Sequence, residues 1–154
     1  MSAQPDHVHD HDHVHDHVVD NGKRTMTLDE LAAVQPGMAR IMPEVSVRMW
    51  KCFYAGKAEN RPLARFQLKE AVNLLEIGAF VRPKYEEAVE KFIADDVEPV
   101  RKAIEAEDWE SFEPAFHAMV TSANSYHDMY DKPFLQWRVP DAPPVDLDLT
   151  PRER

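Results

Sequence analysis

Apolar residues recur every three or four positions between Thr27 and Tyr130, the spacing of one face of an α-helix. Thr27 with Glu30 makes a capping-box pattern and predicts a short helix through Val34, broken by Gln35-Pro36-Gly37. A longer helix is expected from Met38 to Ala55, with Met38, Met42, Val45, Met49, Cys52 and Phe53 on its inner face and Gly56 at its end. Pro43 falls near its first turn, where a missing N–H costs least. Asn60 is the expected N-cap of a third helix, with Pro62 just inside. Its apolar face reads Leu63, Phe66, Leu74, Ile77 and Phe80 or Val81. Arg82-Pro83 ends that helix and starts another through Tyr85, Val89, Phe92 and Ile93. Asp95-Asp96 with Pro99 predicts a kink, after which Val100, Ala103 and Ile104 continue the stripe. Asp108 is placed to cap a last helix that repeats Trp109, Phe112, Phe116, Met119, Ala123, Tyr126 or His127, and Tyr130.

Amphipathic helices joined by short connections bury their stripes most simply against one another. The expected fold class is therefore all-α, an antiparallel four-helix bundle over residues 27–130. Residues 131–154 hold Pro133, Pro140, Pro143, Pro144 and Pro151, a density that forbids a long helix. An extended Pro-rich strap is expected there, anchored by Phe134, Leu135, Trp137 and Val139, with its last residues loose. Residues 1–26 have too little apolar mass to fold alone and read as a disordered His/Asp-rich arm.

Charge and composition narrow the function. The 154 residues carry 18 Lys+Arg against 28 Asp+Glu, a formal charge of −10, which argues against nucleic-acid binding. No apolar run reaches the roughly 18 residues of a membrane span, and the N-terminus shows no secretory signal pattern. With the single cysteine Cys52, a disulfide framework is excluded and a cytoplasmic home is the expectation. Four glycines leave no room for a Gly-rich phosphate loop.

The arm carries the loudest local chemistry. His7, His9, His11, His13, His15 and His17 alternate with Asp6, Asp10, Asp12, Asp16, Val8 and Val14. In an extended chain, residues two apart lie on one side about 6.5–7 Å from each other, so bending lets neighbouring imidazoles share an ion. Imidazole suits nickel, zinc and copper, and the carboxylates add oxygen ligands. Protonation near the imidazole pKa of about 6.5 would reverse much of the arm's charge and release metal. A solubilising arm that chelates metal incidentally is the alternative.

Further along, His117 and His127 lie about 15 Å apart on the last helix, too far to share one ion. Glu113 with His117, and His127 with Asp131, sit four residues apart. The Glu-x-x-His pattern of di-iron bundles is missing, since Pro114 and Asn124 stand three before each histidine. Glu70 and Glu76 read as solvated charges, and Cys52 as inert packing.

The segment Ala123-Asn124-Ser125-Tyr126-His127, followed by Pro133-Phe134 and Pro140-Asp141-Ala142-Pro143-Pro144, resembles the C-terminal end of small helical bacterial c-type cytochromes of the cytochrome c′ kind. Their final helix carries Cys-Asn-x-Cys-His ahead of a Pro-rich tail. Tyr54 to Ala64 resembles the turn into their second helix, and the likeness extends over Phe92-Ile93, Ala103-Ile104, Asp108 and Phe112. Ala123 and Tyr126 replace both thioether-forming cysteines, so covalent haem is chemically impossible, and only His127 keeps the axial-ligand position. The resemblance implies a degenerate relative without covalent haem, whose old cavity is filled by Tyr126 and its neighbours, open beside His127 to a small apolar or planar ligand, or occupied by non-covalent haem on His127.

The expected function is a non-enzymatic cytoplasmic binding protein whose arm holds divalent nickel, zinc or copper. Its partners would be metal ions, with a protein partner or a second copy as further options. Two other readings stand beside it. One is an enzyme or enzyme subunit that uses His127, helped by Tyr126 or Tyr130, as general base or metal ligand. The other is a protein-interaction module, whose sign would be an exposed apolar patch.

Overall fold

The structure, a computed structural model, describes residues 18–152. It divides after Gln35 into two compact units. The first holds strands β1 (Val18–Asp20) and β2 (Thr25–Thr27) and helix α1 (Leu28–Ala33). The second holds α2 (Met38–Lys57), α3 (Arg61–Val81), α4 (Glu86–Phe92), α5 (Glu98–Ala106) and α6 (Trp109–Met129), then the Pro-rich strap. The described chain is thus mostly helical, with one small sheet.

In the first unit, β1 and β2 pair antiparallel with Val18 opposite Thr27 and Val19 opposite Met26. This corrects the expected arm, which was to run unstructured to Met26. The turn explains the difference. Gly22 has φ +80°, while the Asn21 side-chain oxygen accepts from the backbone N–H groups of Lys23 and Arg24, each at 3.0 Å. Asn-Gly between β-branched residues is a strong short-range hairpin signal. Thr27 then closes the expected capping box. Its hydroxyl accepts from the Glu30 N–H at 3.2 Å, and the Glu30 carboxylate accepts from the Thr27 N–H at 2.9 Å.

In the second unit, α2 packs along α3 and against α6, α3 also meets α4 and α5, and α5 packs on α6. The core between them centres on Phe112, Phe116, Leu68, Ile104 and Met119. Phe53 joins the two phenylalanines, with ring centroids 6.3 Å from Phe112 and 5.1 Å from Phe116.

Two connections share one construction. Glu59 and Glu107 take the left-handed conformation, φ 56° and 55°, one step before the cap of the following helix. The next residue ties back: the Asn60 N–H reaches the Ala55 carbonyl at 2.8 Å, and the Asp108 N–H the Ala103 carbonyl at 2.9 Å. Their side-chain oxygens then cap the next helix through the N–H groups of Leu63 and Ser111. This is the Schellman-type stop, made here without glycine. Helix α2 therefore runs past its expected end at Gly56 to Lys57. Gly56 is instead buried against the Phe112 ring, where a side chain would collide.

The kink expected near Pro99 is a π-helical turn, Ile93–Val97, between α4 and α5. Pro99 has no N–H to donate and its ring crowds the carbonyl four residues back, so a widened turn relieves both.

Helix α3 keeps the expected period, and Leu63, Leu74 and Val81 of the expected face pack partly buried against the core. Ala64, Gln67, Leu68, Ala71, Val72, Leu75, Gly78 and Ala79 are buried, while Phe66, Ile77 and Phe80 are 50%, 49% and 84% exposed. Small residues face α2 and let the two backbones approach closely, which turns the large ones outward. No helix among the described residues is long and apolar enough to cross a membrane.

Candidate functional site

The histidines expected to bind metal, His7, His9, His11, His13, His15 and His17, lie outside the described residues. Within 18–152, no cluster of three or more His, Cys, Asp or Glu side chains is arranged to hold a metal ion. Glu113 and His117 do approach each other, at 3.7 Å. The Glu113 carboxylate is, however, also taken by the Lys57 ammonium, whose hydrogen bond holds the acid below its usual range.

The second expected site is the C-terminal half of α6. His127 and Tyr126 are both half-buried there, and each is engaged. The His127 Nδ1 lies 2.7 Å from the Leu135 carbonyl. A carbonyl can only accept, so Nδ1 carries the proton, and Nε2 is the nitrogen left with a lone pair on the neutral ring. That is the tautomer a metal-ligating histidine uses. The Tyr126 ring stands edge-on to Phe92, with centroids 5.8 Å apart. Burial first, and the Asp96 charge second, push its phenol above the usual value. Tyr130 extends the same seam: its hydroxyl donates to the Lys84 carbonyl at 3.2 Å, and its ring meets Tyr85 at 4.8 Å. These contacts bind the end of α6 to the strap and to α4.

The strap is more strongly held than its sequence suggested. Trp137 reaches into the core beside Phe116, and its indole N–H donates to the Ser46 hydroxyl at 2.6 Å. Trp50 and Tyr54 donate to the carbonyls of Ala142 and Pro140, at 2.9 and 3.0 Å. Lys51 pairs with Asp146 at 2.5 Å. Asn60, buried at the α2–α3 turn, donates to the Leu149 carbonyl at 3.0 Å and the Thr150 carbonyl at 3.3 Å. The residues expected to be loose are thus tied down as far as Thr150. Of the four expected anchors, Trp137 and Val139 pack on the core, while Phe134 and Leu135 face outward.

Cys52 is fully buried on α2, and burial raises its thiol well above the usual range. The reactive thiolate is suppressed there, so the residue has no nucleophilic use.

Two concavities lie on another side of this unit. A cleft of about 620 Å³ opens between α3, α4, the π-helical turn and α5. A smaller recess of about 270 Å³ continues between α3 and α5, and the two share Glu76 and Arg101. Neither is lined by His127 or Tyr126. Sequence reading missed this region because it left the core position at the end of α3 open between Phe80 and Val81, and read Glu76 as a solvated charge. Comparison with protein-family models, curated proteins and solved structures finds no match to the chain.

Proposed function

We propose that this chain is a non-enzymatic binding protein of the cytoplasm that captures divalent nickel, zinc or copper on its histidine arm. One observation carries the reading: His7, His9, His11, His13, His15 and His17 alternate with Asp10, Asp12, Asp16, Val8 and Val14 over eleven consecutive positions. Several weak imidazole pairs would share the ions, and protons would displace them as pH falls below about 6.

The helical part serves as the scaffold. Its finer architecture is an antiparallel four-helix bundle formed by α2, α3, the α4–α5 run and α6. The short turns at Glu59 and Glu107, and packing of α2 on α3, α3 on α5, α5 on α6 and α6 on α2, support that arrangement. Descent from a haem-carrying cytochrome c′-like bundle rests on sequence likeness, centred on Ala123 to His127 and the Pro-rich tail and extending over Tyr54 to Ala64.

Isothermal titration of the full chain with nickel, zinc and copper, beside a chain lacking residues 1–17, tests the proposal. Binding lost on shortening, with helicity unchanged by circular dichroism, is the expected result. Undiminished stoichiometry in the shortened chain would move the metal onto the helices and overturn it.

A further inference from the structure

The cleft between α3 and α5 combines three features that meet nowhere else among the described residues. The first is exposed apolar surface. Phe80, which lines it, is 84% exposed, and the lining continues with Ala79, Val89, Ile93 and Ala94. Phe80 adjoins Val89, Ile93 and Ala94 in one lining, and contiguous apolar surface rimmed by polar residues marks interaction sites.

The second feature is charge. Glu76, Glu86, Glu90 and Glu98 line the cleft against one cation, Arg101. Arg101 is already taken up by Glu98, at 2.9 Å. Glu76, Glu86 and Glu90 form no ion pair within residues 18–152. The nearby lysines are turned to other tasks: Lys84 lies over the Tyr85 ring at 4.7 Å, and Lys91 pairs with Asp95.

The third feature is the π-helical turn, which supplies Ile93 and Ala94 to the lining. Such turns spend helix stability locally, and they recur where a helix surface is shaped for function.

We propose that this cleft docks a basic amphipathic segment of a partner protein. Its apolar side chains would pack against Phe80, Val89, Ile93 and Ala94, and its Lys or Arg residues would meet Glu76, Glu86 and Glu90. The occupant is confined to the main cleft, because the adjoining recess is lined by Arg65, Lys69 and Arg101 and would repel its cations. Charge rules against the other candidates. A second copy of a chain with formal charge −10 brings like charge to an acidic rim, and so does an anionic membrane. This inference is independent of the histidine arm.

The test uses the full chain and a fluorescent Lys/Leu amphipathic peptide at about 0.15 M salt, followed by anisotropy and by amide NMR shifts. The expected result is binding that shifts the signals of Phe80, Val89, Ile93 and Ala94. Glu86→Lys with Glu90→Lys should weaken it roughly tenfold, and Phe80→Ala roughly fivefold or more. Phe80 is so exposed that its truncation leaves the fold intact. Glu87→Lys with Asp141→Lys makes the same change of net charge away from the cleft and should alter affinity less than about twofold. Equal loss in both charge-reversed pairs would reduce the effect to bulk attraction and overturn the proposal. Absence of binding, or shifts confined elsewhere, would do the same. Self-association of the free chain that Phe80→Ala abolishes would assign the face to a second copy instead.

Discussion

Asn124 and Trp137 exchange two hydrogen bonds. The Asn124 amide donates to the Trp137 carbonyl at 2.9 Å, and its oxygen accepts from the Trp137 N–H at 2.8 Å. A single side chain on α6 thereby treats the strap as a neighbouring β-strand would, meeting both polar groups of one residue. The indole of that residue is at the same time inserted beside Phe116.

Asn124→Ala should destabilise the chain by about 1–2 kcal/mol, because it strands a donor and an acceptor at a half-buried position. Asn124→Asp sets a carboxylate oxygen against the Trp137 carbonyl, so at neutral pH it should destabilise at least as much as alanine. Urea midpoints at constant m-value would report the order, and equal midpoints for all three chains would disprove the pairing's importance.

Gly56→Ala is expected to cost about 1–3 kcal/mol or more, although alanine is the better helix former. The added methyl meets the Phe112 ring, which is itself fixed in the core by Phe53, Trp109 and Phe116. Thermal denaturation of this variant beside Gly56→Ala with Phe112→Leu would show partial recovery in the pair.

Glu59→Gly should act in the opposite sense. Glu59 sits at φ 56° with an exposed side chain, so glycine relieves left-handed strain and should add about 0.5–1 kcal/mol net. A denaturant midpoint unchanged or lowered by the substitution would contradict this.

Two strap carboxylates set a pH dependence. The Arg152 guanidinium, with help from the Thr150 backbone N–H, holds Asp148 at about 2. The Lys51 ammonium holds Asp146 below its ordinary value of 3.8. A carboxylate depressed in the folded state contributes above its unfolded pKa and loses that contribution as pH falls through the folded one. Of these two, only the Lys51–Asp146 pair joins strap to helix, since Arg152 and Thr150 lie in the strap itself. The strap should therefore stay docked at pH 5 and begin to loosen below about pH 4, seen as faster pepsin cleavage beyond Tyr130. Carboxyl NMR titration should give Asp148 near 2, and Lys51→Met should return Asp146 to the ordinary range without moving Asp148.

Helix starts were legible because capping is local. Thr27, Asn60 and Asp108 each cap the helix that their sequence context announced. Long-range partnership was not legible. The outward turn of Phe66, Ile77 and Phe80 follows from how closely α2 approaches α3, which no window of α3 alone encodes. The strap's fastening was equally hidden. Trp50, Tyr54 and Asn60 bind backbone carbonyls 86 to 92 positions away, and a carbonyl leaves no mark in the sequence. The hairpin at Asn21-Gly22 did carry its signal, but the neighbouring histidine run, read as one disordered zone, absorbed it. Of the candidate site, Glu76 and Phe80 were noticed separately, and only the fold joins them across one cleft.

The strap also sets an order of events during synthesis. Everything beyond Tyr130 leaves the ribosome after α2 and α6 have been made. For an interval on the order of seconds, the seam formed by Ser46, Trp50, Tyr54 and Asn124 is unoccupied on the nascent polypeptide. It then offers unpaired indole, phenol and amide groups to any extended peptide within reach. Docking of the strap is therefore a late step, complete only when Trp137 seats itself beside Phe116.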